Sequence, residues 1–208
     1  MSRTHNKPVI GVTGGVGAGK STVAQTLGAC GCEVIDADAL GHEVIQTPSV
    51  RDALVARWGA GVRDADGRVD RAAVARIVFD DADELAFLNA QMHPPLRDRM
   101  AERIAHARRN RQRRGVALDA AVLFEAGWDD LCTHTVCVTA PRAQRTDRLR
   151  RERGWDEGEL DRREKRQISL DTKLAMCDYT LENSSGVSRL RKQVRTLFHD
   201  ILHSVDCS

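Results

Sequence analysis

The residues with the clearest potential for chemistry lie near the amino end of the 208-residue sequence, in the stretch GVTGGVGAGKST at positions 11–22. The spacing G-x-x-x-x-G-K-[ST] of a phosphate-binding loop is matched there by Gly14, Gly19, Lys20 and Ser21. In such a loop the backbone surrounds a β-phosphate, the lysine reaches the β and γ oxygens, and the hydroxyl coordinates Mg²⁺. The sequence therefore predicts a site for a nucleoside triphosphate, with Ser21 as a metal ligand.

The segments that flank this loop are of the kinds that would hold it in place. Residues 8–12, PVIGV, are apolar and rich in β-branched side chains, which predicts a buried strand. Residues 21–27, STVAQTL, have apolar positions at helical spacing, and the amino end of a helix offers N–H groups to an anion. The loop by itself does not identify a reaction, because switches, motors, transporters and kinases all contain it.

Further strands are predicted by four short apolar runs, at positions 33–36, 116–124, 135–139 and 178–182. Strands that alternate with helices indicate an α/β fold, here a P-loop kinase-type doubly wound parallel sheet of about five strands. The interval of about 80 residues between the second and third strands has only helical patterns. The helices predicted there cover 38–47, 50–58, 70–79, 83–93 and 95 to about 114, the last begun by Pro95.

This pattern predicts one kinase domain over residues 1–208, with a core, a helical acceptor-binding insertion and a helical lid. The predicted core is about 1–36, 115–145 and 175–208, the insertion about 37–114, and the lid about 146–174. The charged interval 142–173 has two interpretations. It is either an exposed pair of helices linked by ion pairs or a mobile lid that brings arginines onto a transferred phosphoryl group.

Composition narrows the classes of protein. Charged residues make up 30% of the sequence, aromatic residues 4%, and the formal net charge is +2. These values predict a soluble helix-rich protein with no general attraction to nucleic acid or membrane. No apolar run has the length of a membrane span or a signal peptide, which favours the cytoplasm, where the six cysteines would be reduced. The segment HDILH at 199–203 is similar to the zinc motif H-E-x-x-H but lacks its glutamate and a third ligand, so we do not predict a metal site there.

Two aspartates follow the second predicted strand, in the segment VIDADAL at 34–40. A phosphoryl acceptor needs a group that orients or deprotonates its hydroxyl opposite the γ-phosphate, and a carboxylate at the end of a strand beside the loop suits that position. Asp36 and Asp38 are therefore candidates, although aspartate is also a favoured residue at the start of a helix.

Five segments together resemble dephospho-CoA kinases along nearly the whole chain. They are GVTGGVGAGKST, GCEVIDADALGHEV, FLNAQMHPPL, LDAAVLFEAGWDD and CDYTLENSSG, in this order and spacing. The resemblance implies transfer of the γ-phosphate of ATP, with Mg²⁺, to the ribose 3′-hydroxyl of dephospho-CoA, which is the last step of coenzyme A synthesis. The substrates would be small molecules, handled by a monomer or small homo-oligomer.

The resemblance also implies roles for particular residues. ATP would be held by Gly15, Val16, Gly17, Ala18, Gly19, Lys20, Ser21 and Thr22, and Asn183 would lie by its adenine. Asp38 would act as base or orienting group, with Lys20 and Arg148 as the cationic catalytic residues. The acceptor side would include Asp36, His93, Pro94 and Glu125. Either Arg151 or Arg153 would join Arg148 at the substrates.

Two other classes of function remain as alternatives. One is another small-molecule kinase of this architecture that acts on a nucleoside monophosphate, a sugar acid or shikimate. The DAD triplet and the LNAQMHP segment favour dephospho-CoA. The other is a nucleotide-dependent module that binds nucleic acid through the basic stretch 97–114, which contains apolar residues at helical spacing and no aromatic residue for base stacking.

Overall fold

Strands and helices alternate along the chain in a computed structural model that describes residues 7–79 and 81–205. The strands are β1 (Val9–Gly14), β2 (Cys32–Asp36), β3 (Gly115–Asp119), β4 (His134–Thr139) and β5 (Tyr179–Glu182). The helices are α1 (Lys20–Ala29), α2 (Ala37–Val44), α3 (Pro48–Trp58), α4 (Arg71–Val78), α5 (Ala82–Arg109), α6 (Arg142–Arg153), α7 (Glu157–Glu164), α8 (Leu170–Met176) and α9 (Val187–Val205). No helix within the described ranges has both the length and the apolar character needed to cross a membrane.

The five strands form one parallel sheet in the order β2-β3-β1-β4-β5. Every residue of β1 is buried, as expected for the central strand of a sheet that is covered on both faces. One face is covered by α1 and α9, whose side chains Leu27, Val194 and Phe198 belong to the same apolar core as Ile10 of β1. The predicted parallel α/β fold is confirmed.

The chain divides into two compact units. The first comprises residues 1–36 and 103–208 and contains the whole sheet, and the second comprises residues 37–102. Within the second unit, Trp58 and Phe87 meet edge to face with ring centroids 5.5 Å apart. The Trp58 ring nitrogen donates to Glu84, which also pairs with Arg57.

The largest differences from the predicted bounds are in the third strand and in the helices predicted over residues 83–114. The third strand ends at Asp119 rather than at residue 124, because residues 121–127 form turns, with the Trp128 amide donating to the Leu123 carbonyl. The helices predicted over 83–93 and 95–114 are one helix, α5, with Pro94 and Pro95 inside it.

The continuity of α5 through two prolines has a cost and a compensation. Proline lacks the amide hydrogen that the helix needs, and its ring crowds the carbonyl four residues earlier, at a cost of about 3 kcal/mol. Beyond the prolines the apolar stripe Leu96, Met100, Ile104 and Ala107 is buried. Burial of that stripe favours continuation of the helix, so tertiary packing outweighs the local signal.

Candidate active site

The glycine loop between β1 and α1 has a backbone that larger residues cannot adopt. Gly14 has φ of 139°, and a Cβ atom placed on it would lie 2.1 Å from the Val138 carbonyl oxygen. Gly19 has φ of 104°, and a Cβ there would lie 2.6 Å from the Asn183 side-chain nitrogen. Helix α1 begins directly after Gly19, so the loop leads into the free N–H groups of a helix start.

The loop is held from outside through its carbonyl oxygens. The Asn183 side-chain amide donates to the Ala18 carbonyl oxygen at 2.8 Å. One guanidinium nitrogen of Arg148 lies 3.4 Å from the carbonyl oxygens of both Gly17 and Ala18, and the other donates to the Asn183 carbonyl at 2.9 Å. These contacts bring Arg148 and Asn183, 35 residues apart in the chain, to one side of the loop.

A cavity of about 530 Å³ lies against the loop. Its lining includes Gly17, Gly19, Lys20, Ser21, Thr22, Arg148, Arg151, Arg153 and Asn183. Four of these side chains are cationic, against one glutamate, Glu152, in the same wall. Amides and cations are the donors that a polyphosphate requires, so the residues present fit a nucleoside triphosphate.

Arg151 and Arg153 both line this cavity, so either residue has a position beside Arg148 that suits contact with the substrates. The Arg151 Nε atom donates to the backbone of Asp147 in its own helix at 3.2 Å. The Arg153 guanidinium lies 4.9 Å from the centre of the Trp155 ring, which Arg163 also contacts at 4.1 Å. A cation over an aromatic face is stabilised electrostatically, so the Arg153 guanidinium has a favourable contact with Trp155, just beyond the end of α6.

A second cavity, of about 420 Å³, is lined by Gly14, Gly15 and Val16 together with Lys173 and residues 167–170. Val16 also packs with Leu149 of α6 and Leu160 of α7 in a small apolar cluster. Helices α6 and α7 are thus packed on the loop as well as linked by ion pairs such as Arg142–Asp161. The predicted movement of this segment as a lid stays a prediction.

Carboxylates lie at the carboxyl edge of the sheet beside β1. Asp36 ends β2 and pairs in register with Asp119, the last residue of β3, which in turn neighbours Val12 of β1. Ser21 is exposed in the first turn of α1. A serine hydroxyl and carboxylate oxygens are hard ligands suited to Mg²⁺, so the donor set of this unit fits the ion.

Three predicted site residues belong to the second unit. Asp38 lies in the first turn of α2 with an exposed side chain. His93 and Pro94 lie within α5, and burial lowers the pKa of His93 below its usual value. The imidazole is therefore neutral at pH 7, and its nitrogens would act as a neutral donor and acceptor.

Glu125, predicted on the acceptor side, takes part in a buried ion pair with Lys173. Its Oε1 atom lies 3.0 Å from the Lys173 ammonium and accepts a hydrogen bond from the Ile168 amide. The ammonium also donates to the Ala121 carbonyl at 2.6 Å and to Gln167 at 2.8 Å. Glu125 thus joins the turn after β3 to the segment between α7 and α8. Sequence reasoning missed Lys173, because a lysine in a polar helix gives no sign of burial.

Replacing Lys173 with methionine should lower the free energy of unfolding by about 3–5 kcal/mol, because it leaves the Glu125 carboxylate without its cation. The lysine side chain is only 1% exposed, so water cannot take the place of the lost contacts. Urea denaturation followed by circular dichroism measures the change. Lys192→Met, at an exposed lysine, is the control and should change stability by about 0.5 kcal/mol or less. A loss below about 1 kcal/mol for Lys173→Met would contradict the importance of this pair.

An open parallel sheet with a phosphate loop between its first strand and first helix defines a P-loop nucleotide-binding fold, and the solved structures similar to this one include kinases. The solved dephospho-CoA kinase of Campylobacter jejuni has this fold, with a TM-score of 0.71 and 18% identity over 94% of this chain and 98% of its own. The family model for dephospho-CoA kinase matches residues 8–189. The chain belongs to the dephospho-CoA kinase family, whose activity is the ATP-dependent phosphorylation of dephospho-CoA.

One further relative supports the family assignment, and one further solved structure supports the fold. The dephospho-CoA kinase of Thermobifida fusca is 35% identical over 200 residues, which cover 94% of this chain and 98% of the relative. The solved protein TT1252 of Thermus thermophilus is 30% identical, with a TM-score of 0.78 over 93% of this chain and 97% of its own. The resemblance noted from the five sequence segments is confirmed, and the alternative classes are not favoured.

Proposed function

We propose that this protein transfers the γ-phosphate of Mg·ATP to the ribose 3′-hydroxyl of dephospho-CoA, giving coenzyme A and ADP. The observation that carries the proposal is the phosphate loop, which together with four cations and Asn183 lines one cavity in a chain that the family model matches over residues 8–189. Amides and cations on a polyphosphate stabilise charge that spreads over the γ-phosphoryl group during transfer.

The nucleotide would bind with its phosphates against Gly15–Thr22. Lys20 would reach the β and γ oxygens, and Arg148 would neutralise charge on the transferred group, together with Arg151 or Arg153. Support comes from the position of these four side chains around the cavity of about 530 Å³. Asn183 would lie by the adenine, and it lines this cavity together with Val187.

The metal would be held by Ser21 and water, with Asp119 and Asp36 at the adjoining edge of the sheet. When bound, Mg²⁺ would neutralise charge on the β and γ oxygens. The exposure of Ser21 and the pairing of the two aspartates in register support this set. The carboxylates would also help to hold water ligands in place.

On the resemblance of their sequence segments to the family, contacts with the acceptor would belong to His93 and Pro94 in the second unit. In the first unit they would belong to Asp36 and Glu125. Asp38 would orient the 3′-hydroxyl and accept its proton late in the transfer, since a carboxylate is a weak base for an alcohol. The position of Asp38 two residues after the end of β2 supports this role. Because His93 is neutral, it would contribute a hydrogen bond rather than a charge.

The cellular setting belongs to the same proposal. The protein would act in the cytoplasm on small molecules, as a monomer or small homo-oligomer, without nucleic acid or membrane as partner. The formal net charge of +2 and the 30% of charged residues support it.

A panel of acceptors tests the function. The protein is incubated with Mg·ATP and, separately, dephospho-CoA, AMP, CMP, gluconate or shikimate, and ADP formation and product mass are measured. We expect phosphorylation of dephospho-CoA alone, with the new phosphate at the ribose 3′ position. Transfer to a monophosphate or sugar acid but not to dephospho-CoA would overturn the proposal.

A further inference from the structure

Arg145 is a buried guanidinium for which the proposed mechanism has no role. It lies in the first turns of α6, and its side chain is only 7% exposed. A buried arginine is retained in a fold only where several acceptors satisfy it. The identity of those acceptors therefore indicates what the residue does.

The hydrogen-bond acceptors of Arg145 lie in three segments of the first compact unit, residues 1–36 and 103–208. Its Nη1 atom donates to the Val16 carbonyl of the phosphate loop at 3.0 Å, and its Nε atom donates to the Ala140 carbonyl after β4 at 3.2 Å. Nη1 also pairs with the Glu164 carboxylate of α7. The side chain lies along the loop, since a Cβ atom on Gly15 would be 3.5 Å from Nη1.

The bond to Val16 has a consequence for the next amide. A peptide unit is planar and trans, so its C=O and N–H groups point in opposite directions. Because Arg145 binds the Val16 carbonyl, the Gly17 amide of the same peptide unit points away from the guanidinium. Gly17 lines the cavity proposed for the nucleotide phosphates, whereas Arg145 lines the second cavity, of about 420 Å³, with Gly14, Gly15 and Val16. The Val16–Gly17 peptide is the central one of a turn, closed by the Ala18 amide donating to the Gly15 carbonyl at 3.1 Å. Because Gly17 has φ of 74° and no side chain, such a turn tolerates either orientation of its central peptide.

We propose that Arg145 is a positioning residue for the phosphate loop, which holds the Val16–Gly17 peptide with its N–H toward the nucleotide phosphates. Through Glu164 the same guanidinium connects the loop to α7, so the predicted lid and the loop share one anchor. The inference rests on the proposed binding of nucleotide at the loop.

Arg142 provides a matched control. It lies one helical turn before Arg145 and pairs with the other oxygen of Glu164 at 2.9 Å, as well as with Asp161. Its side chain is 48% exposed, and the groups that it pairs with are these two carboxylates rather than a carbonyl of the phosphate loop. Replacing Arg142 removes the same charge from the same cluster but leaves the Val16 carbonyl bound.

The test is the dissociation constant for ADP, measured by isothermal titration calorimetry in the full-length protein. Arg145→Gln should weaken ADP binding by about tenfold or more. This is roughly the loss of one charge-assisted hydrogen bond, from the Gly17 amide to the phosphates. Arg145→Lys keeps the charge but lacks the planar fork, and it should weaken binding by at least about fivefold. Arg142→Gln should stay within about twofold of the wild type.

Two results would overturn the inference. One is wild-type ADP affinity in folded Arg145→Lys. The other is an equal loss of ADP affinity in Arg142→Gln and Arg145→Gln, which would mean that the effect comes from the removed positive charge alone. Thermal unfolding of each variant separates affinity from stability, and if Arg145→Gln does not fold, the lysine variant decides. A wild-type protein that binds ADP but does not phosphorylate dephospho-CoA would overturn the proposed function and leave this test valid.

Discussion

Lys20→Ala is expected to lose both ATP binding and phosphoryl transfer. The Lys20 ammonium lies 3.4 Å from the Gly15 carbonyl oxygen, so the side chain folds back over the phosphate loop. Its removal takes away a cation that would contact the phosphates in the ground state and in the transition state. We expect the dissociation constant for ATP to rise by about tenfold to a hundredfold, and turnover to fall by a further factor of about 10² to 10³.

Calorimetry with ATP and steady-state assays with dephospho-CoA measure the two effects separately. Lys192→Ala, at an exposed lysine of α9, removes the same charge and should leave both quantities within about twofold of the wild type. Transfer or ATP hydrolysis retained by Lys20→Ala would count against the assignment of the phosphate loop.

Asp38→Asn should keep ATP affinity and lose turnover. The substitution preserves size and removes the charge that would orient the acceptor hydroxyl and receive its proton. General base catalysis contributes about 10²- to 10⁴-fold, and the turnover number should fall by that factor. The dissociation constant for ATP should stay within about twofold, because the proposed ATP contacts belong to the loop, α6 and Asn183.

Single-turnover phosphorylation of dephospho-CoA measures the rate of transfer directly. Asp66→Asn is the control, because Asp66 is an exposed aspartate in a turn of the same 37–102 unit. If turnover of Asp38→Asn remained within a few-fold of the wild type, the role given to Asp38 would be wrong, while the loop and its ATP site would be unaffected.

The core of the fold could be predicted because its signals are local. The run before Gly14 is apolar and β-branched, the loop is fixed by the spacing of Gly14, Gly19 and Lys20, and helical spacing starts at once. These features lie within about twenty residues and do not depend on distant contacts.

The features that the sequence did not predict depend on distant contacts. Helix α5 continues through Pro94 because a stripe on the same helix is buried, and a proline signal cannot report that burial. Lys173 looks like a surface lysine until Glu125, 48 positions earlier in the sequence, supplies a carboxylate. Arg145 is one of many arginines in a charged interval, and only its bond to Val16, 129 residues away, distinguishes it.

The order of strands has a consequence for how such enzymes can diversify. Strands β2 and β3 are neighbours in the sheet, and the chain between them includes the whole 37–102 unit. The cost of closing a connection grows only slowly with its length. An exchange or enlargement of that connection would alter the unit proposed to bind the acceptor alcohol and would leave the strand pairing of the sheet unchanged.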